Sequence, residues 1–166
     1  MSSPQKFTLL LLPLLMSVGC LPELEPVDNG SDFGAFQCDT NVNEAGDDIV
    51  DVAVQIVPAT ICGELDSTGN DGTRYTGDRD NTLFRVNNPG SYTLTLEWDS
   101  PDGDYDFYLY DDFEGLEPTP LSYASTEGYP ETFSASLQPS KEYLLVVVGW
   151  AGEAGAWGVT LQPDSL

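Results

Sequence analysis

The sequence predicts an all-β protein, an antiparallel β-sandwich of jelly-roll-like topology with about eight strands. Two observations predict it. Short segments in which apolar and polar residues alternate recur along the chain, which is the pattern of a strand with one buried face. Clusters of Gly, Pro, Asn and Asp separate these segments, as at residues 87–90, 100–103 and 151–155, and such clusters mark turns. Many short strands at regular spacing are typical of sandwiches.

Most strands are predicted from the alternation of apolar and polar residues within each segment. The predicted strands, in chain order, are residues 61–65, 83–86, 91–98, 104–111, 132–137, 142–150 and 157–161. Residues 142–150 (EYLLVVVGW) are a continuous apolar run, which predicts a central strand buried on both faces. Residues 48–57 (DIVDVAVQIV) alternate but also suit a helix, and both alternatives stay open.

The chain begins with a signal-peptide pattern over residues 1–19. Lys6 precedes an almost wholly apolar stretch (FTLLLLPLLMSV) that ends at Gly19 and Cys20. A short apolar run after a basic start indicates a secretory signal, and it is shorter than the roughly 20 residues that span a bilayer. Residues 17–20 (SVGC) resemble the bacterial lipobox, whose cysteine receives a diacylglycerol and becomes the mature N-terminus. The resemblance implies lipidation of Cys20; ordinary secretory cleavage nearby and a buried structural cysteine are the alternatives.

Residues 20–37 are predicted to be a flexible acidic tether, because they are rich in Pro, Gly, Asp and Glu and lack hydrophobic periodicity. Residues 38–166 then form the β-sandwich domain. This arrangement predicts an exported protein that is attached to the cell envelope through a membrane-embedded lipid at Cys20. Leu21 replaces the aspartate that favours inner-membrane retention in enteric bacteria, so we expect the outer membrane.

Composition excludes several function classes. The chain has 28 acidic residues against 5 basic ones and a net charge of −23, which argues against nucleic acid as a partner because phosphate binding needs Lys and Arg. Histidine is absent, which removes the usual general base, and no G-x-S-x-G motif supplies a nucleophile. We therefore predict no catalytic residues and no enzyme. A hydrolase that uses paired carboxylates is the remote alternative.

The cysteines agree with an exported location. If Cys20 is lipidated, Cys38 and Cys62 remain as a pair, which predicts a disulfide in an oxidising compartment. Closing a loop of about 24 residues contributes on the order of 3 kcal/mol in the loop-entropy model. Two cysteines without histidine are too few for a zinc site.

Four motifs lie in order between residues 43 and 161. They are residues 44–47 (EAGD), 77–86 (GDRDNTLFRV), 104–111 (DYDFYLYD), and a closing hairpin with Gly149, Gly152 and Gly155 before residues 157–161. Together they resemble the bacterial pre-peptidase C-terminal domain family, a β-sandwich module found beside secreted proteases. The first motif lacks the family's Pro and Asn, and Asn81 and Thr82 are an insertion relative to its strand motif.

The resemblance also implies a metal. Some members of that family hold calcium through the first motif and acids near the first strands, and calcium prefers carboxylate and carbonyl oxygens. The implied ligands are Glu44, Asp47, Asp78 and Asp80. The alternative is that these acids cap turns and solvate the surface. Calcium is the only cofactor that we expect.

Exposed aromatic residues suggest a ligand surface. Tyr108 and Tyr110 lie opposite Phe107 on the predicted strand 104–111, and on an exposed sheet face they would form a stacking platform for sugar or peptide. The alternative is that both faces are covered and the tyrosines are ordinary strand residues. Asp104 and Asp106 share the tyrosine face, and we expect them to hydrogen-bond turn amides.

These observations predict a non-catalytic accessory or binding module whose ligand is a glycan, protein or peptide, with calcium assisting. A purely structural, stabilising or chaperone-like domain without its own ligand is the alternative. The sequence leaves the oligomeric state open.

Overall fold

The computed structural model describes residues 32–33, 35–42, 49–51, 58–113 and 118–164. No helix occurs among these residues, and none of them forms an apolar helix long enough to cross a membrane. The strands are β1 (Asp32–Phe33), β2 (Phe36–Gln37), β3 (Thr40–Asn41), β4 (Ile49–Asp51), β5 (Ala59–Glu64), β6 (Arg79–Phe84), β7 (Gly90–Trp98), β8 (Asp104–Tyr110), β9 (Ser122–Ala124), β10 (Glu131–Leu137), β11 (Tyr143–Ala151) and β12 (Ala156–Pro163).

The strands build two sheets that pack against each other. The first sheet has the order β10-β7-β12-β5-β3 and the second has the order β4-β6-β11-β8-β9, while β1 and β2 form a separate pair. Phe107 of the second sheet stacks on Phe133 of the first, with ring centroids 4.5 Å apart. One hydrophobic core includes residues of both sheets. The predicted all-β sandwich is therefore confirmed, with five strands in each sheet.

Alternation places the core residues as the sequence predicts. In β8, Tyr105, Phe107 and Leu109 are fully buried, and the residues between them lie on the opposite face. Each large apolar side chain buried in this way stabilises the fold by about 1.5–3 kcal/mol. β11 is the central strand of the second sheet, but it differs from the prediction because Leu144 and Val146 are only partly buried. One face of β11 is covered completely and the other is not.

Two edge pairings differ from a purely antiparallel sandwich. β3 pairs with β5, and β4 pairs with β6, in parallel. The chain passes from β3 in the first sheet to β4 in the second and back to β5, and such a crossover is what parallel neighbours require. Within the ambiguous segment 48–57, residues 49–51 form β4 and residue 48 and residues 52–57 lie outside the described residues.

β6 begins four residues earlier than the predicted strand 83–86. Its first half is polar but buried: Asp80, Asn81 and Thr82 are 3%, 8% and 0% exposed. Asn81 and Thr82 pair with Val146 and Leu145 of β11, so they are strand residues and not an insertion that interrupts the strand. Alternation misses this half because its buried residues are polar.

The predicted disulfide is confirmed: Cys38 and Cys62 are bonded. The bond joins the segment before β3 to β5, next to the hydrogen bond from Val42 N to Cys62 O (2.7 Å). The signal peptide, Cys20 and the implied calcium ligands Glu44 and Asp47 lie outside the described residues.

Candidate functional site

A cleft of about 300 Å³ opens at one end of the outer face of the second sheet. Its lining combines aromatic rings with acidic and hydroxyl side chains. The lining residues are Tyr75, Asp104, Asp106, Ser125, Thr126, Glu127 and Trp150. We call it the aromatic–acidic cleft.

β8 and β11 supply the floor of the cleft. The period-two geometry of β8 turns Asp104 and Asp106 away from the core, and Tyr108 lies on the same face. The pairing of β11 with β8 shifts register between Gly149 and Ala151. Such a bulge bends the strand and re-aims a side chain, and here Trp150 occupies it beside the cleft.

The loop between β5 and β6 carries Tyr75 into the cleft. Asn70 pairs with Tyr75 across the loop, and the Asn70 side-chain amide donates to the carbonyl of Trp150 (2.9 Å). Gly69 N donates to Gly149 O (3.0 Å). These bonds tie the loop to the bulge, so the Tyr75 ring meets Trp150 edge-on with centroids 5.2 Å apart.

A hydrogen-bonded group of side chains lies under the rings. The Tyr75 hydroxyl donates to Asp106 Oδ2, and it lies 2.6 Å from the Tyr108 hydroxyl. Burial raises the pKa of Tyr75 far above its usual value, and the bond to Asp106 raises it further, so the phenol stays protonated and donates. Burial also raises the pKa of Asp106, which is 5% exposed, to about 6, and the Tyr75 bond opposes the rise.

Residues 125–127 form the opposite wall and are held by Glu131 of β10. The Thr126 amide donates to Glu131 Oε1, while Glu131 Oε2 is buried and has no hydrogen-bond partner among the described residues. Glu131 is only 2% exposed. Burial raises its pKa to about 7, and the negative charges of Asp106 and Asp104 add to the rise.

The charge around the cleft is negative. Burial is the larger cause that raises the pKa of Asp104, and the charge of Glu127 is the second. The charged groups that shift the pKa values of Asp104, Asp106 and Glu131 are all carboxylates. The cleft therefore combines aromatic faces with a negative field from Asp104, Asp106 and Glu127.

The structure places the two predicted ligand tyrosines differently. Tyr108 stacks on Tyr123, with centroids 5.7 Å apart and planes inclined by 16°, and Tyr123 is 56% exposed. Tyr110 lies on the same face of β8 and is partly buried. Neither tyrosine lines the cleft, although the Tyr108 hydroxyl contacts that of Tyr75. A small aromatic surface therefore exists on this face, and ligand binding by Tyr108 and Tyr110 stays a prediction.

The two described residues of the implied calcium set hydrogen-bond protein groups. Asp78 accepts from the amides of Asp66 (2.8 Å) and Arg79 (2.9 Å). Asp80 accepts from the indole N–H of Trp157. Among the residues that the structure describes, no three His, Cys, Asp or Glu side chains gather to hold a metal ion. The full set with Glu44 and Asp47 extends beyond these residues and stays a prediction.

Sequence reasoning missed Tyr75 and Glu131 as site residues. Glu131 follows the same alternation as Phe133, Ala135 and Leu137 on β10, so it occupies a core-facing position. A charged residue at such a position is unusual, and the sequence alone could have singled it out. Tyr75 had no local signal, because only the tertiary structure brings its loop against Trp150. Asp106 bonds a phenol here and not the expected turn amide.

Fold and cleft together define a β-sandwich domain with an aromatic–acidic cleft on one sheet face. No family model matches the chain, and no curated protein matches it. Among solved structures, the pre-peptidase C-terminal domain of a collagenase from Bacillus anthracis matches at 15% identity and a TM-score of 0.50, covering 72% of this chain and all (100%) of that one. At this identity the match shows the fold alone, which is the fold that the resemblance implied.

Two further matches are structures of PliG, a periplasmic inhibitor of g-type lysozyme. The protein from Aeromonas hydrophila is 19% identical with a TM-score of 0.40, and 70% of this chain and 99% of that chain are covered. The protein from Salmonella Typhimurium is 18% identical with a TM-score of 0.37, and the coverage is 68% and 97%.

Proposed function

We propose that this protein is an exported, lipid-anchored binding module of pre-peptidase C-terminal type, and that its aromatic–acidic cleft holds a glycan, peptide or protein ligand. The observation that carries the proposal is the construction of the cleft. Three separate segments, the β5–β6 loop, the β8–β11 bulge and the β9–β10 loop, bring aromatic rings and carboxylates to one small concavity. A few polar groups among aromatic walls is the usual make-up of a ligand site.

A non-catalytic role fits the acids of this cleft. A general acid or base must reach its substrate within hydrogen-bond distance. Asp106 is 5% exposed and already bonded to Tyr75, and Glu131 is 2% exposed. Glu131 does not line the cleft, and Asp106 lines it with one oxygen already bonded to Tyr75, which supports binding and not hydrolysis. A hydrolase activity that survives purification and is lost in Asp106→Asn would contradict this proposal.

The binding proposal is tested by screening the full chain against glycan and peptide arrays. We expect at least one ligand whose binding falls about tenfold or more in Trp150→Ala, because a ring packed on an aromatic side chain typically contributes about 0.5–1.5 kcal/mol and the cleft loses shape as well. Tyr129→Ala is the control, since Tyr129 is an exposed aromatic ring, at 59%, that does not line the cleft. If no ligand is sensitive to Trp150→Ala, the structural or chaperone-like alternative replaces the binding module.

The anchor proposal rests on the lipobox-like ending at Cys20. One acyl chain binds membranes only marginally, whereas the two or three chains of a bacterial lipoprotein attach it stably. Metabolic labelling with a palmitate analogue should mark the wild-type protein and not Cys20→Ser, and the variant should move from the membrane fraction to the soluble exported fraction. Density separation of the two membranes then tests the outer-membrane expectation. Equal labelling of both proteins would exclude Cys20 as the lipid site.

Calcium assistance is a separate proposal. We expect CaCl2 to raise the melting temperature of the full chain more than MgCl2 at the same ionic strength, since calcium accepts the irregular oxygen cages that magnesium avoids. Glu44→Gln with Asp47→Asn should abolish the difference. Asp78→Asn is not suitable as a test variant, because Asp78 also accepts from two backbone amides. An equal response to both metals would end the calcium proposal.

A further inference from the structure

Among the residues that the structure describes, the carboxylates that line the aromatic–acidic cleft form no ion pair with Lys or Arg. Arg85 pairs with Glu142, and Lys141 pairs with Asp111. By contrast, the charged groups that act on Asp104, Asp106 and Glu131 are other carboxylates. Like charges held together at low solvent exposure repel each other. A positive group entering the cleft would relieve that repulsion.

Glu131 supports one wall of the cleft from behind. It is 2% exposed and does not line the cleft, and its Oε1 accepts from the amide of Thr126, which does. The acids that a ligand can reach are therefore Asp104, Asp106 and Glu127, all of which line the cleft.

The aromatic walls suit a cation as well. Tyr75 and Trp150 line the cleft and meet edge-on at 83°, so the two rings present differently directed faces to it. A cation within about 6 Å of the face of a Trp or Tyr ring is attracted by the electrons of the ring, and more strongly when it is desolvated. Aromatic faces beside carboxylates are a recognised way to bind ammonium and guanidinium groups.

The occupant is an organic cation and not a metal ion. Calcium needs six to eight oxygen ligands, and among the described residues no three acids are gathered closely enough to hold a metal. The volume of about 300 Å³ admits one long side chain. The rings contribute to binding an ammonium or guanidinium group and contribute little to a hydrated metal ion.

We propose that the aromatic–acidic cleft binds the cationic side chain of a lysine or arginine presented by a protein partner. This inference rests on the proposed binding function and names its ligand class. The net charge of −23 steers a basic partner toward the domain, and the cleft supplies the specific contact. An adjoining depression shares Tyr75 and is lined by Arg74 and Arg79, so the cation enters on the side of Asp104 and Glu127.

The test compares a charged and a neutral probe of nearly the same shape. The probes are the blocked pentapeptide Gly-Gly-Lys-Gly-Gly, the same peptide with an Nε-acetylated lysine, and the corresponding arginine and citrulline peptides. Binding to the full chain is followed by titration calorimetry and by tryptophan fluorescence, since Trp150 lines the cleft. We expect the charged peptides to bind at least about tenfold more tightly than the neutral ones, which is 1.4 kcal/mol.

Two variants with the same change of charge locate the contact. Asp106→Asn should remove most of the preference for the charged peptide, whereas Asp112→Asn should change it less than about twofold because Asp112 is exposed and outside the cleft. Glu127→Gln, also exposed, serves as a second cleft variant with little effect on folding. Melting temperatures of all variants show whether each is folded.

The outcomes separate this inference from the proposed function. Equal affinity for charged and neutral peptides overturns the cation inference. Equal effects of Asp106→Asn and Asp112→Asn also overturn it, because they would show that the peptide responds only to the net negative charge of the protein. A neutral glycan or peptide that needs Trp150 but ignores Asp106→Asn and Glu127→Gln overturns the inference and leaves the binding module intact. If no array ligand and no peptide depends on Trp150, both proposals fail.

Discussion

At the scale of single residues, two carboxyl groups are buried in and beside the cleft. Asp106 and Glu131 lie at almost fully covered positions, where the charged form loses its hydration. Their pKa values therefore rise, to about 6 and about 7. A raised pKa in the folded state means that folding favours the protonated acid. The stabilising contribution is complete below the usual pKa and is lost as the pH rises through the raised one.

The raised pKa of Asp106 predicts how the stability of Asp106→Asn depends on pH. The variant is neutral at every pH, so it should gain stability relative to the wild type as the pH rises from about 4 to about 7.5. A shift from 3.8 to about 6 corresponds to at most about 3 kcal/mol. Urea unfolding at several pH values measures the difference. A difference between Asp106→Asn and the wild type that does not change with pH would contradict the burial argument.

A second residue-scale prediction concerns Gly63 in β5. A Cβ atom there would lie 2.6 Å from Trp157 Cε2 and 2.9 Å from Asp80 Oδ2. Trp157 is fully buried and its indole donates to Asp80, so neither group can move without disturbing the core. Gly63→Ala should destabilise the protein by about 1–3 kcal/mol or more.

Gly90→Ala is the matched control for Gly63→Ala. Gly90 also lies in a strand, and a Cβ there would meet its nearest neighbour at 3.7 Å, which is an ordinary contact. Its effect on the free energy of unfolding should stay within about 0.5 kcal/mol. Equal losses in the two variants would show that strand glycines matter here for backbone reasons and not for the packing of Trp157.

At the scale of elements, the disulfide holds the β3 segment against β5. β3 has two residues, Thr40–Asn41, and pairs in parallel at the edge of the first sheet, so its own hydrogen bonds are few. The cross-link spans a sequence separation of 24 residues. Removing it in Cys38→Ser/Cys62→Ser should lower the free energy of unfolding by about 3 kcal/mol.

Reduction is the control for the disulfide prediction. Dithiothreitol should lower the unfolding midpoint of the wild type to about that of the double serine variant and should leave the variant unchanged. If dithiothreitol has no effect on the wild type under conditions that fully reduce the bond, the disulfide does not limit the stability of the sandwich.

Elements with clear alternation were predictable from the sequence, and the others were not. β7, β8 and β10 bury one face each. The spacing of their apolar residues therefore reveals both that they are strands and which face points to the core. β6 was only half visible because Asp80 and Thr82 are polar and yet buried. β9, at Ser122–Ala124, is short and partly exposed, and it becomes a strand by pairing with β8.

At the scale of the whole molecule, the net charge of −23 acts against the compact state by self-repulsion. Raising NaCl from 0.01 M to 0.15 M shortens the screening length from about 30 Å to about 8 Å. The melting temperature should therefore rise, by about 3 °C for each kcal/mol of repulsion that is screened.

A variant with less charge provides the control for the salt prediction. Glu64 and Glu153 are exposed, and Glu64→Lys/Glu153→Lys should melt at a higher temperature in low salt and depend less on NaCl. Scanning calorimetry over the salt series measures how steeply the melting temperature depends on NaCl in the wild type and in the variant. Identical slopes would mean that the salt acts through hydration or specific binding and not through charge screening.

The sequence by itself determined the class of fold, the face of most strands and the cysteine pair. These properties follow from local periodicity and composition, which each segment carries alone. Only the tertiary structure decided that Tyr75, Asp106 and Trp150 meet in one cleft. Their meeting depends on a strand register, a bulge and a loop anchored on a distant strand, and no local pattern encodes contacts between residues so far apart in the chain.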